Sequence, residues 1–403
     1  MTNYIDRLVA ELCPDGVEYR PLGEIADIGT GKSDKKDAQE SGQYPFYVRS
    51  KTILRSSKYL YDETAIVIPG EGGVGEIFHF VSGKYDLHQR AYRVSFTVDE
   101  MNPKFGYYYI SSFFKEYINR HAVEATVKSI RKPMLVKFEV PVPPLEIQEA
   151  IVEILDKFTN MEAELEAELE ARTLQYEYYR GSLFGTLKDP ATGLPAIAGL
   201  VKTLCPDGVE YRSLKDVVAK NYGGGTPSKS KAEYWEGNIP WASVGDLSDD
   251  VLEVTDTRSK ITEEGVKGSS TNIVPAGAVI VAIKINPGRM KIAGMNLAIN
   301  QDIRGLVLND SMNARFLTYY FRTLMFAGHG TIVKSITNKH LMETKIPVPP
   351  MEIQQRIVDI LDRFDALTSS LSEGLPAELA ARRSQYEYYR DQLLTFPRKG
   401  ENQ

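Results

Sequence analysis

One stretch of this chain occurs twice: VPVPPLEIQEAIVEILDKF, Val140 to Phe158, returns as IPVPPMEIQQRIVDILDRF, Ile346 to Phe364. A repeat this long in 403 residues marks a duplication, so the fold must be built from two similar halves. In each copy a proline pair, Pro143-Pro144 and Pro349-Pro350, closes an extended segment and leaves good first-turn helix positions. The apolar residues that follow, Ile147, Ile151, Ile154, Phe158, Met161 and Leu165, step by fours and threes, as do Ile353, Ile357, Ile360, Phe364, Leu367 and Leu371. That spacing predicts two long helices with a coiled-coil seam. Each runs on to a near-identical QYEYYR, Gln175 to Arg180 and Gln385 to Arg390, bringing Tyr176, Tyr179, Tyr386 and Tyr389 onto the expected docking surface. Unbroken, each helix would hold about 40 residues and span roughly 60 Å. Two ordinary amphipathic core helices are the alternative reading of the same spacing.

The rest of the chain is also paired. LCPDGVEYR occurs around Cys13 and again around Cys205, each time after a short amphipathic segment, and the two cysteines are expected to be reduced structural thiols. A strand-like AIVIPG, Ala65 to Gly70, has its counterpart in AVIVAI, Ala278 to Ile283. The helical FGYYYISSFFKEYINR corresponds to ARFLTYYFRTLMF. Between these landmarks the copies are unlike, and strong similarity returns only at TVKSI and IVKSI, 206 residues apart. Connecting helices and junctions stayed alike while the globular interiors drifted, which fits equal scaffolds holding unequal readers.

These readings give a mixed α/β chain: a first globular domain over 1–140, a helix over 141–187, a linker over 188–203, a second globular domain over 204–345, a second helix over 346–397 and a tail over 398–403. Helix one delivers the chain to the second domain and helix two has only the first to return to. Two such rods, if they pack together, run antiparallel with pseudo-twofold symmetry. No apolar run approaches membrane-spanning length and the first residues lack a signal-peptide pattern, so a soluble cytoplasmic protein is expected. The five histidines show no metal-ligand spacing.

A net charge of −6 looks wrong for a nucleic-acid partner until it is divided along the chain. Residues 20–140 carry 18 basic and 15 acidic side chains, and residues 212–345 carry 17 and 13, so both globular parts are mildly basic. The acid lies mainly in the helices, where it reads as a solvated face. A basic excess permits a polyanion partner without proving one.

The chain resembles the specificity (S) subunit family of type I restriction-modification systems, most closely its IC-type branch. The resemblance rests on GGGTPSKSKAEYWEGNIPWASVGDL, Gly223 to Leu247, similar to the segment opening many of that family's target recognition domains, and on PVPPLEIQ and PVPPMEIQ before long helices. The first domain departs from the signature, with ADIGTGKSDKKD and YPFYVRS in its place. The resemblance implies a non-catalytic subunit in which each globular domain reads one half of a split double-stranded DNA site. It further implies that the coiled coil sets the gap and docks two methyltransferase (M) subunits. Those would bring S-adenosylmethionine for N6-adenine methylation, while restriction (R) subunits would bring ATP and Mg; no cofactor is expected in this chain.

Base reading needs forked donors and acceptors, and phosphate contact needs cations. In the second domain the candidates are Thr226, Ser228, Lys229, Lys231, Tyr234 and Asn238 in the glycine-opened loop, then Lys284, Asn286, Arg289 and Lys291 after the predicted strand. In the first they are Lys32, Lys35, Lys36, Arg49, Lys51, Arg55 and Lys58, with Lys128 and Lys334 at equivalent places in the two copies. A solvated surface position is the alternative reading of each. Trp235 and Trp241 read as core. GTGKS, Gly29 to Ser33, imitates a phosphate loop but has Ala26 where that pattern needs glycine.

Four-residue units also mark the helices: EAEL twice from Glu162 to Leu169 in helix one, and TSSL, SEGL and PAEL from Thr368 to Leu379 in helix two. One unit adds about 6 Å of helix, comparable with two base-pair steps of roughly 3.4 Å. Gly374 and Pro376 are expected to kink or interrupt helix two. A catalytic enzyme and a coiled-coil adaptor that binds proteins alone remain as other classes.

Overall fold

The computed structural model describes residues 2–120, 129–249, 251–326, 335–368 and 374–400. Two compact units divide the chain, residues 1–164 with 381–403 and residues 165–380.

In the first unit β1 (Tyr19–Pro21) pairs antiparallel with β8 (Glu139–Pro141), so the entry and exit of the globular part are hydrogen-bonded to each other. Between them lies a six-stranded sheet. It comprises β2 (Ala26–Thr30), β3 (Tyr44–Tyr47), β4 (Leu54–Ser56), β5 (Tyr61–Pro69), β6 (His79–Leu87) and β7 (Ala91–Phe96), in the order β2-β7-β5-β6-β3-β4. AIVIPG falls at the end of β5, a central strand, where an apolar run with no alternation is what burial on both faces demands. Ile66 and Ile68 point into the core beneath the helix Pro103–Arg120, with Phe105, Ile110 and Phe114. Ala65 and Val67 point the other way, against Tyr47, Val81 and Tyr85.

The second unit repeats the plan. β9 (Tyr211–Ser213) pairs with β19 (Lys345–Pro347). A five-stranded sheet follows, in the order β10 (Val218–Gly223), β18 (Ile303–Leu308), β15 (Val279–Ala282), β16 (Met290–Ala293), β12 (Glu253–Val254). A four-stranded sheet is built from β13 (Ser259–Ile261), β11 (Trp235–Ala242), β17 (Leu297–Ile299) and β14 (Ile273–Val274). Where the first unit has one nine-residue strand, β6, the second has β16 and β17, separated by Gly294, Met295 and Asn296. The parallel pairing survives the break: Phe46 faces Asp86 in β3/β6, and Trp241 faces Ala298 in β11/β17.

The long helix Leu145–Lys188 is continuous over 44 residues, about 66 Å. Its first turns are buried in a globular core that also holds Leu393 and Leu394 from the end of helix two, so the spacing serves more than a helix–helix seam. Ile147, Ile151 and Leu155 are fully buried in the first unit's core, and Ile353, Ile357 and Leu361 take the same places in the second. The periodicity of the helix therefore records its docking on a globular core, with Ile154 and Ile360 packed at the edge. Ring contacts between the helices lie at the phenylalanines. Phe158 lies 6.3 Å from the ring of Tyr386 and 5.8 Å from that of Tyr389, and Glu162 pairs with Arg383 at 2.7 Å, an antiparallel order. In the second unit Phe364 meets Tyr176 and Tyr179 at 6.4 and 5.1 Å. Leu165 is half-buried, while Met161 is 38% exposed.

Two polar devices are repeated at the root of each helix. Gln148, fully buried, donates to Glu100 O (2.7 Å) and Pro143 O (2.6 Å) and accepts from Asn102 N–H (2.8 Å). Gln354 donates to Ser311 O and Pro349 O and accepts from Asn313 N–H, each at 2.8 Å. Tyr108 and Lys104 both donate to Asp156, and Tyr319 and Arg315 both donate to Asp362. Helix two is described as Met351–Thr368 and Leu375–Leu393. Gly374 has a φ of +100°, outside helical geometry, so the expected interruption is present there; Leu371 lies outside the described residues.

Candidate nucleic-acid interface

In each unit a glycine-opened loop is laid directly across a strand end. A Cβ on Gly31 would sit 1.8 Å from Leu87 O, and one on Gly224 would sit 1.7 Å from Asn300 O, so nothing larger than glycine permits the approach. Backbone bonds fix it, Ser33 N–H to Leu87 O at 3.2 Å and Gly225 N–H to Ile299 O at 2.9 Å. This accounts for GTGKS: its glycine serves chain packing, and the buried Ser33 hydroxyl donates to the Asp86 carboxylate at 2.8 Å. In the second unit the two tryptophans tie the loop down. Trp241 Nε1 donates to Gly225 O and Trp235 Nε1 to Ser228 O, both at 3.1 Å. Trp241 is buried and Trp235 half-buried, as read from the sequence.

On these pinned loops Lys32, Lys35 and Lys36 are exposed in the first unit, and Thr226, Ser228, Lys229 and Lys231 in the second. Asn238 is exposed on β11, and Tyr234 is half-buried with its hydroxyl accepting from Lys231 at 2.9 Å. Lys51 and Lys58 are exposed, while Arg55 donates Nε to Gly42 O at 3.0 Å. Arg49 and Arg90 share Glu71, at 3.0 and 2.9 Å, and hold its carboxyl below the usual range, Arg90 foremost. Beside them His88 is pushed down by burial and then by Arg49, and its Nδ1 accepts from Arg90 N–H at 3.0 Å.

Three residues of the predicted set in the second unit need correction or qualification. Lys291 is not at the surface: its side chain is 3% exposed and paired with Asp249. Arg289 is spent on the chain itself, its guanidinium donating to the carbonyls of Leu247, Ser248 and Asp249. Lys284 stays 47% exposed but pairs with Asp302 at 2.8 Å, next to exposed Asn286. The cause is the same throughout. An apolar strand followed by cations looks like a groove-facing loop, but the carboxylates and carbonyls that meet those cations come from elsewhere in the chain. Ile147, Ile151, Ile353 and Ile357 are likewise core, not docking surface. Lys128 and Lys334 lie outside the described residues.

The sequence reading passed over two pairs. Gln89 and Gln301 are exposed at the turns over which the glycine loops lie. Tyr178 and Tyr388 are 66% and 61% exposed, whereas the tyrosines named from the repeat, Tyr176, Tyr179, Tyr386 and Tyr389, turn inward onto Phe364 and Phe158. Helical position supplies the signal for the tyrosines; nothing local supplies it for the glutamines. Among the described residues no helix is long and apolar enough to cross a membrane.

Fold and surface together define a class: a duplicated mixed α/β module, each copy rooted on a long helix and bearing a pinned, polar, glycine-opened loop. The comparisons name it. The family model for the type I restriction modification DNA specificity domain matches residues 14–172 and 206–381. A type I restriction enzyme specificity subunit of Escherichia coli is 35% identical over 427 residues, 98% of each chain. A putative one from Haemophilus influenzae is 25% identical, covering 94% of this chain and 96% of its own. The fold matches the crystal structure of a type I restriction-modification system S subunit from M. genitalium, with TM-score 0.57 and 17% identity over 94% of this chain and 96% of that one. It also matches a chain from a structural study of assembly and conformational transition of the type I system, with TM-score 0.60 and 18% identity over 94% and 97%. The chain belongs to the type I restriction-modification specificity subunit family.

Proposed function

We propose that the two units are target recognition domains, each reading one half of a bipartite, gapped double-stranded DNA site. The helices set the gap and dock two methyltransferase subunits for N6-adenine methylation, and restriction subunits join for cleavage. One observation carries this reading: the same frame, down to the buried Gln148 and Gln354, holds two loops of different composition, SDKKD and TPSKSK. A frame kept constant under variable polar loops is what two independent readers of one kind of polymer require. Lys32, Lys35, Lys36, Lys229 and Lys231 suit phosphate contact, and Thr226, Ser228 and Asn238 suit base edges.

The outward Tyr178 and Tyr388 support identical docking of two identical partners. Each sits edge-on to its neighbour, at 5.6 Å from Tyr179 and 5.4 Å from Tyr389, and an exposed aromatic of this kind is a common interface anchor. S-adenosylmethionine would be held by the methyltransferase subunits, and ATP and Mg by the restriction subunits. The test is to map N6-methyladenine in DNA from cells expressing this chain with its methyltransferase partner. A split motif methylated on both strands, and absent without this chain, is the expected result. An assembled complex that yields no such motif would move the assignment to a protein-only adaptor.

A further inference from the structure

Each unit presents one exposed glutamine at the same place. Gln89 is the second residue of a turn closed by Ala91 N–H on His88 O (3.0 Å), and Gln301 of a turn closed by Ile303 N–H on Asn300 O (3.2 Å). Backbone bonds on both sides fix the correspondence. His88 N–H reaches Tyr47 O and Asn300 N–H reaches Ala242 O, both at 3.0 Å. Gly70 N–H reaches Arg90 O and Ile283 N–H reaches Asp302 O, both at 2.8 Å. Around the glutamine the copies disagree: His88 and Arg90 flank it in one, Asn300 and Asp302 in the other.

Each amide nitrogen donates to a carboxylate, but the two carboxylates stand at different places in the two copies. Gln89 Nε2 donates to the Asp34 carboxylate at 3.1 Å. Gln301 Oε1 accepts from the Thr226 hydroxyl, and its Nε2 donates to the Asp302 carboxylate at 3.1 Å. No bond to an equivalent partner therefore demands glutamine in both copies. What they have in common is an exposed, forked donor and acceptor on a rigid turn.

Two heads that read different half-sites still share one feature of the DNA: each half-site must contain the adenine that receives the methyl group. We infer that Gln89 and Gln301, each in its own half-site, contact the adenine·thymine pair that carries the methyl acceptor. A planar amide is the side chain that pairs bidentately with an adenine edge. A contact to that pair also suits an adenine drawn out of the stack for chemistry, when its partner is left exposed. The inference rests on the reading of the units as recognition domains.

The experiment uses the complete methyltransferase complex and duplexes already methylated at one adenine, so that a single half-site accepts the group. The unaltered complex is measured first; if it methylates no split motif, the recognition reading fails whatever the glutamines do. With that reading standing, Gln301→Ala should slow transfer about tenfold or more at the half-site of the second unit, the loss of one bidentate amide–base contact. The first unit's half-site should keep its rate and the motif its sequence, and Gln89→Ala should show the mirror image. Gln301→Met, which keeps the side-chain length but has no forked donor and acceptor, should reproduce the selective loss. Equal loss at both half-sites, unchanged rates, or a relaxed base preference at a position other than the methylated pair would each overturn the inference.

Discussion

Gln148 and Gln354 are the residues on which each module turns. Buried without exposure, each ties the proline segment, the start of the long helix and the entry to the preceding helix into one joint. Gln354→Leu keeps the volume but strands two carbonyls and an N–H, and unsatisfied buried groups cost about 1–3 kcal/mol each before relaxation. We expect a loss of about 3 kcal/mol in denaturant unfolding of the chain. A loss below about 1 kcal/mol would show that water replaces the amide. His88 gives a pH dependence of known sign. Its pKa is below the free value of 6.5, so the fold holds it neutral and its contribution is full above that value and lost as pH falls. The second unit uses Asn300 at this place, its Oδ1 accepting from Asp302 N–H at 3.1 Å as His88 Nδ1 accepts from Arg90. His88→Asn should therefore fold normally and flatten the drop in unfolding temperature between about pH 7 and pH 5. His79, shifted the same way by burial, should account for part of what remains.

At the scale of elements, the loops depend on glycine contacts that leave no room. Gly224→Ala puts a methyl 1.7 Å from the Asn300 carbonyl and should lift the 224–231 loop off its turn. The second unit's half-site should then lose methylation while the first unit's is retained, read as strand-specific transfer rates. Retention of both would mean the loop is not part of the reader. The helices were legible because apolar periodicity reports burial directly, the strand AIVIPG because an unbroken apolar run bounded by glycine does the same, and the duplication because the sequence itself repeats. What periodicity cannot report is the burial partner. Ile147 and Ile151 keep coiled-coil spacing yet are buried in the same core as Phe105 and Phe114. Lys291 and Arg289 failed as surface cations for the same reason, since Asp249 and the Leu247 carbonyl are some forty residues away along the chain. Gln89 and Gln301 stayed hidden because only the paired strands align them. The EAEL units lie in continuous helix where Met161 and most of the glutamates are exposed, so neither core fixes the local length. Deleting Glu166–Leu169 should shorten the gap by one or two base pairs, at about 6 Å per four residues, and leave both half-sites as they were. An unchanged gap would contradict a ruler role for the helix.

For the whole molecule, each unit is proposed to be an independent reader on a frame common to both. The matching strand pairs β1/β8 and β9/β19 bracket each globular part, so one head can be exchanged for the other at those boundaries. The most direct test replaces residues 22–138 with 214–344, giving a chain whose two heads are identical, and maps N6-methyladenine in cells that also express the methyltransferase partner. The prediction is a split motif in which both halves are the second unit's half-site, arranged as an inverted repeat. An assembled complex that methylates the original asymmetric motif, or no split motif at all, would contradict the claim that sequence is read head by head.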